Sequence, residues 1–164
     1  METPGALIRV GMAESSASKA PATLITSGLG SCIGVALYDP LAKVGGMCHV
    51  MLPDSSQARA SENRAKFADT AIPDILERLE SLGARRERLV VKVAGGAQMF
   101  NFGRGDDRFA IGRRNAEAVR SALKQAGLRI AAEDTGGSHG RTMIFDVSSG
   151  RVFIRTIEGG EAEL

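Results

Sequence analysis

Tryptophan is absent from these 164 residues, tyrosine occurs once, and histidine and cysteine occur twice each. So few aromatic rings leave little from which to build a base-stacking platform. The formal net charge of +2 is too small to suggest nucleic acid or an anionic membrane as a partner. The short basic clusters Arg85-Arg86, Arg88 and Arg113-Arg114 are interrupted by acids and apolar residues and read as solvated faces. No run approaches the roughly eighteen apolar residues that a membrane span requires. The opening Met1-Glu2-Thr3-Pro4-Gly5 has no basic region leading into an apolar core. A cytoplasmic protein without membrane insertion is therefore expected, and in a reducing compartment two cysteines read better as thiols than as a staple. Neither the histidines nor the cysteines have the short pairwise spacing of a zinc site, and no glycine-rich stretch ends in the Gly-Lys-Ser/Thr of a nucleotide loop.

What is present is apolar and glycine-rich: 43% hydrophobic residues, 24% charged, and twenty glycines spread over short loops. This is the balance of a soluble globular chain, and its length predicts a single domain spanning 1–164. Strands are expected over 6–12, 23–26, 33–38, 46–52, 89–94 and 128–132, with a terminal hairpin of "TMIFDV" and "RVFIRTI". "AESSASKAPA" and "EDTGGSHGR" read as loops. The apolar spacing of Ala68, Ala71, Ile72, Ile75, Leu76, Leu79 and Leu82 predicts a helix, with a fresh start near Thr70 so that Pro73 falls in its first turn, and a stop at Gly83. A second helix is expected over 114–126, capped by Gly127. Strands that flank two helices, rather than alternating with them, predict an α+β fold of mixed sheets.

The stretch "TSGLGSCIGVALYDPLAKVGGMCHVMLP" carries the chemistry. Cys32 follows a tight glycine turn at the head of one strand, where its own and neighbouring amides can face a developing oxyanion. A free thiol titrates near ~8.5 and needs a base. Alternation in "GMCHVML" places His49 with Met47 and Met51 on the face opposite Cys48 and Val50. On spacing alone, two readings stand: nucleophile and base, or a buried cysteine and a satisfied core histidine. Cys48 reads as space-filling, although a Cys32–Cys48 disulfide would make a redox switch. His139, Asp106, Asp107 and Asp134 read as loop or capping residues. Met99, Phe100 and Phe102 read either as exposed anchors for a partner or as core.

Taken together, "TSGLGSCIGVALYDPLAKVGGMCHVMLP", "FADTAIPDILERLESLGARRERLVVKVAGGAQMF", "IGRRNAEAVRSAL" and "EDTGGSHGRTMIFDVSSGRVFI" resemble the CheD family, chemoreceptor glutamine deamidases of bacterial and archaeal chemotaxis. The likeness runs from about Leu24 to Ile154. It implies a triad: Cys32 as nucleophile, His49 as base and Thr26 as the residue that positions the imidazole. Ser27 and Cys48 depart from the usual pattern without removing a catalytic group. Backbone amides of Ser31 and Cys32 are inferred as oxyanion donors. The resemblance further implies an α/β sandwich with helices outside, akin to the cytotoxic necrotizing factor type of cysteine hydrolase. It implies no cofactor and no metal, methyl-accepting chemotaxis receptors as substrate, and a CheC-like phosphatase as partner. The resemblance also implies hydrolysis of glutamyl methyl esters as a second activity of the same thioester chemistry. The alternative is an adaptor that mainly binds chemoreceptors and a CheC-like phosphatase.

Overall fold

The computed structural model describes residues 5–56, 58–59, 63–98 and 110–164. Met99, Phe100, Phe102, Asp106 and Asp107, singled out above, lie outside the described residues. Among the described residues, ten strands form two five-stranded sheets. The first holds β1 (Ala6–Arg9), β3 (Ala22–Leu29), β8 (Arg141–Asp146), β9 (Val152–Thr156) and β10 (Gly160–Glu163), in that spatial order. The second runs β2 (Ser15–Lys19), β5 (Val44–Val50), β4 (Ile33–Asp39), β6 (Val90–Gly95) and β7 (Ile130–Thr135). The pairs β1–β3 and β6–β7 are parallel and the rest antiparallel, so both sheets are mixed, in agreement with the expected α+β class.

Two apolar clusters give the layering. Leu24, Leu29, Ala36, Tyr38, Met47, Met143 and Phe145 pack in one, where side chains of both sheets meet. Ile33, Val35, Leu37, Cys48 and Val50 pack in the other against α1 (Ala68–Ser81) and α2 (Ile111–Gln125). The second sheet is thus covered on both faces. Every residue of β4 and β5 is buried, and these strands accordingly read as nearly continuous apolar runs. A buried Leu or Ile side chain contributes roughly 1.5–3 kcal/mol, so Ile72, Ile75, Leu76 and Leu79 of α1 form a large part of the adhesion between helix and sheet.

Several element boundaries differ from expectation for identifiable reasons. "SSASK" is a strand, not a loop: it pairs with β5 along the sheet edge, where small polar residues carry no apolar period. Helix α1 begins at Ala68, because the Leu52 carbonyl accepts from the Ala68 amide at 3.0 Å and supplies a cap that no neighbouring side chain provides. Thr70 lies inside the helix, and Pro73 falls in the second turn on the solvent side, where the Asp69 carbonyl forgoes its helix partner. Helix α2 begins at Ile111. The hairpin β8–β9 forms as expected, and β10 adds an edge held by the ion pairs Arg151–Glu163 and Arg155–Glu161.

The basic clusters are not all solvated. Arg88 pairs at 2.8 Å with Asp39, a fully buried carboxylate that also accepts from the amides of Leu41, Ala42 and Arg85. Burial pushes the Asp39 pKa up, but the Arg88 bond and these amides outweigh it and hold the carboxyl at about 2.

Candidate active site

The turn between β3 and β4 carries the chain from one sheet to the other. The β3–β8 register is regular as far as Thr26 and shifts before Leu29, and Gly28 there has φ +71°. Thr26 therefore ends the regular part of a strand in the first sheet, and Cys32 stands immediately before a strand of the second. His49 lies on β5, directly across from Gly34 of β4. Cys32 precedes Gly34 by two positions, just ahead of the ladder, and packs against the same inter-sheet cluster that holds Met47 of the His49 face. Both turn toward the first sheet. Gly34 has a physical role here: a Cβ at this position would sit 3.0 Å from Leu29 Cδ1, 3.1 Å from Met143 Sδ and 3.4 Å from Thr26 Cγ2. Its bare backbone lets Thr26 approach the ladder that holds His49.

Thr26 and His49, both buried, make a short bond between Oγ1 and Nδ1 of 2.6 Å. The same Oγ1 lies 2.6 Å from the Val10 carbonyl, which can only accept. A hydroxyl has a single proton. It goes to Val10, so Thr26 accepts from His49 and the imidazole carries its proton on Nδ1. Nε2 is then the unprotonated nitrogen, and it is buried with no hydrogen-bond partner among the described residues. The His49 backbone is fixed as well, its amide donating to the Glu14 carbonyl at 3.0 Å and its carbonyl accepting from the Ala13 amide at 3.1 Å. Burial lowers the His49 pKa, and the Glu14 carboxylate opposes that shift. The Cys32 thiol is half-buried and its pKa is raised by desolvation. Both shifts favour the neutral pair, thiol and imidazole, over a preformed ion pair.

The main chain around Cys32 is anchored on its far side. The carbonyls of Gly30, Ser31 and Cys32 accept in turn from the Ala97 amide at 2.8 Å, Asn115 Nδ2 at 2.9 Å and the Gly96 amide at 2.9 Å. In a trans peptide each N–H points opposite to the preceding carbonyl. The Ser31 and Cys32 amides thus turn away from these anchors, and among the described residues neither has an acceptor. Gly95, at φ +114°, permits the contact: a Cβ there would lie 2.2 Å from the Cys32 carbonyl oxygen. Arg141, from β8, holds the same segment through the Gly95 and Gly136 carbonyls at 3.2 and 2.7 Å.

Cys48 faces the other way. It lies in the cluster between sheet and helices, whereas Cys32 packs against the cluster between the sheets. Both thiols are free, and full burial pushes Cys48 up to about 12. Asp134 is an ion-pair partner of Arg141 at 3.5 Å, not a capping residue.

Asn115 and Arg141 escaped the reading of the sequence. Asn115 had a signal: extending the apolar stripe of α2 by one turn toward its N-terminus places a lone amide among core positions. Arg141 had none, because what it holds in the segment behind Cys32 is backbone carbonyls.

A profile of the family described as "CheD chemotactic sensory transduction" matches residues 51–156. A protein of Moorella thermoacetica named "Probable chemoreceptor glutamine deamidase CheD" is 57% identical over 151 residues, covering 92% of this chain and 90% of its own. "Chemoreceptor glutamine deamidase CheD" of Halalkalibacterium halodurans is 50% identical over 159 residues, covering 96% and 98%. A Clostridium botulinum relative, also named as a probable chemoreceptor glutamine deamidase CheD, is 50% identical over 157 residues, covering 96% and 97%. Among solved structures, the Bacillus licheniformis hypothetical protein YfiH aligns with 76% of this chain and 51% of its own at 15% identity and a TM-score of 0.45, too distant to support an argument.

Proposed function

Since the chain belongs to the CheD family, we propose that it deamidates glutamine side chains of chemoreceptors to glutamate, with Cys32, His49 and Thr26 as its catalytic triad. The observation that carries the residue assignment is a His49 ring whose Nδ1 is held by Thr26 while its buried Nε2 has no partner among the described residues. That is the arrangement of a general base awaiting a proton donor.

The reaction follows from the chemistry of the groups. His49 Nε2 takes the Cys32 thiol proton as sulfur attacks the side-chain amide carbon of the substrate glutamine. Negative charge develops on the amide oxygen, which the Ser31 and Cys32 amides face. The imidazolium returns its proton to the amide nitrogen, the carbon–nitrogen bond breaks, and ammonia leaves a thioester on Cys32. Water then attacks the thioester while Nε2 takes its proton. Glutamate departs as that proton passes to the sulfur, and the enzyme is restored. Thr26 keeps the ring in the productive tautomer, but its neutral hydroxyl cannot stabilise imidazolium as a buried carboxylate would. A modest catalytic rate follows. The same thioester forms whether ammonia or methanol leaves, so glutamyl methyl ester hydrolysis is the secondary activity.

Cytoplasmic residence, expected from the sequence, and a CheC-like phosphatase partner, implied by the family resemblance, complete the proposal. No described helix is long and apolar enough to cross a membrane. Ammonia release from a receptor signalling domain tests the reaction: the wild type is expected to release it and Cys32→Ala to release none. Equal release from both would overturn the assignment of the nucleophile.

A further inference from the structure

Asn115 is fully buried on the face of α2 that meets the second sheet. Its Nδ2 donates to two carbonyls at 2.9 Å each, those of Ser31 and Met51. The first carbonyl belongs to the peptide whose N–H is that of Cys32, and the second follows β5 by one residue, two past His49. One amide group thus ties the nucleophile's peptide to the end of the strand bearing the base. The orientation is unambiguous: exchanging Oδ1 for Nδ2 would set an acceptor against two acceptors. Oδ1 is left buried with no partner among the described residues. A residue present only for packing would be apolar here, like its neighbours Ala116 and Val119. An oxygen without a partner among the described residues is a cost of keeping the two donors.

We propose that Asn115 is a positioning residue for the deamidation, holding the Ser31–Cys32 peptide so that its N–H faces the reacting carbonyl oxygen and fixing that peptide relative to β5. The inference rests on the deamidase reading for its catalytic consequence, but not for its structural one. With both donors removed, the Ser31 carbonyl loses its anchor and the peptide is free to rotate. A carbonyl turned toward the site would repel both the thiolate and the oxyanion that an N–H stabilises. The loss falls on steps in which charge develops, so kcat drops while substrate binding does not.

Asn115→Leu removes both donors and the buried oxygen while keeping the side chain's branching, with some added bulk. Two readouts apply to variants that melt cooperatively: kcat and KM for conversion of receptor glutamine, and the pH profile of Cys32 alkylation by iodoacetamide, which needs no receptor. The expected result is a fall in kcat on the order of 10²-fold with KM within about twofold, and an alkylation midpoint moved up by about one pH unit. A merely structural asparagine would lower the melting temperature or the active fraction and leave the midpoint in place. Unchanged kcat and midpoint in folded Asn115→Leu would overturn the proposal. Should the leucine variant not fold, Asn115→Ala, which adds no volume, is read the same way, and failure of both to fold would mark Asn115 as a residue of the fold alone and also overturn it. Failure of the wild type to convert glutamine would overturn the deamidase reading, while the alkylation shift would still decide the positioning role.

Discussion

Replacing Thr26 with valine keeps the shape of the side chain and removes its one polar atom. In the folded protein that atom serves two buried groups at once, the Val10 carbonyl and the His49 Nδ1–H, at 2.6 Å each. Leaving both unpaired costs about 1–3 kcal/mol apiece, offset in part because the hydroxyl itself no longer needs a partner. A net loss of roughly 2–4 kcal/mol follows, which in a chain of this size lowers Tm by on the order of 10 °C. The catalytic effect is separate. The bond to Thr26 favours the Nδ1–H tautomer, and losing it shifts the tautomer ratio by on the order of 10- to 100-fold. Added freedom of the ring brings the expected fall in kcat to about 10²-fold. Thr26→Ser retains the hydroxyl and forfeits only the methyl lying over Gly34, so its kcat should stay within about fivefold of wild type. Conversion kinetics, thermal melts and the imidazole ¹⁵N spectrum of His49 measure the three effects. A valine variant with wild-type kcat, a serine variant as slow as valine, or a wild-type spectrum with the proton on Nε2 would refute the reasoning.

Other predictions are as direct. Because burial lowers the His49 pKa, the acid limb of kcat/KM should have its midpoint below 6.5, the ordinary imidazole value, and a midpoint above it would contradict the neutral-pair picture. Asp39 is held at about 2 in the folded chain against an ordinary 3.8, so it contributes about 2 kcal/mol that is fully present above the unfolded pKa and is lost as pH falls through the folded one. Denaturant midpoints of the wild type should therefore fall between pH 5 and roughly 2 more steeply than those of Asp39→Asn, and parallel curves would remove Asp39 as the cause. Cys48 should resist alkylation in the folded protein while Cys32 reacts. A non-reducing digest after mild oxidation should contain no Cys32–Cys48 disulfide, since the two face opposite sides of one sheet.

Much of the site was legible because strands write their geometry locally. The alternation around "GMCHVML" separates His49 from Cys48, and the structure keeps that separation, with an apolar cluster on each side. The glycines of "TSGLGSC" announce a sharp turn ahead of Cys32. The crossing between sheets that this turn makes was not readable, because it depends on how β3 pairs with β8 far along the chain. Strand β2 was hidden for a different reason: an edge strand of three serines, one alanine and a lysine has no apolar period to detect. The start of α1 is set by the Leu52 carbonyl, and the role of Arg88 by a carboxylate in β4. Asn115 bonds carbonyls distant in sequence by 84 and 64 positions. In each case the missing information is a long-range contact to backbone or buried charge, which residue identity alone does not announce.

The most direct test of the central claim is to incubate a purified chemoreceptor signalling domain with the wild type and with Cys32→Ala, then map glutamine-to-glutamate conversion by peptide mass spectrometry. The account predicts conversion at defined glutamines by the wild type and none by the variant. Conversion by both would remove Cys32 as the nucleophile, and binding without conversion by either would favour an adaptor over an enzyme.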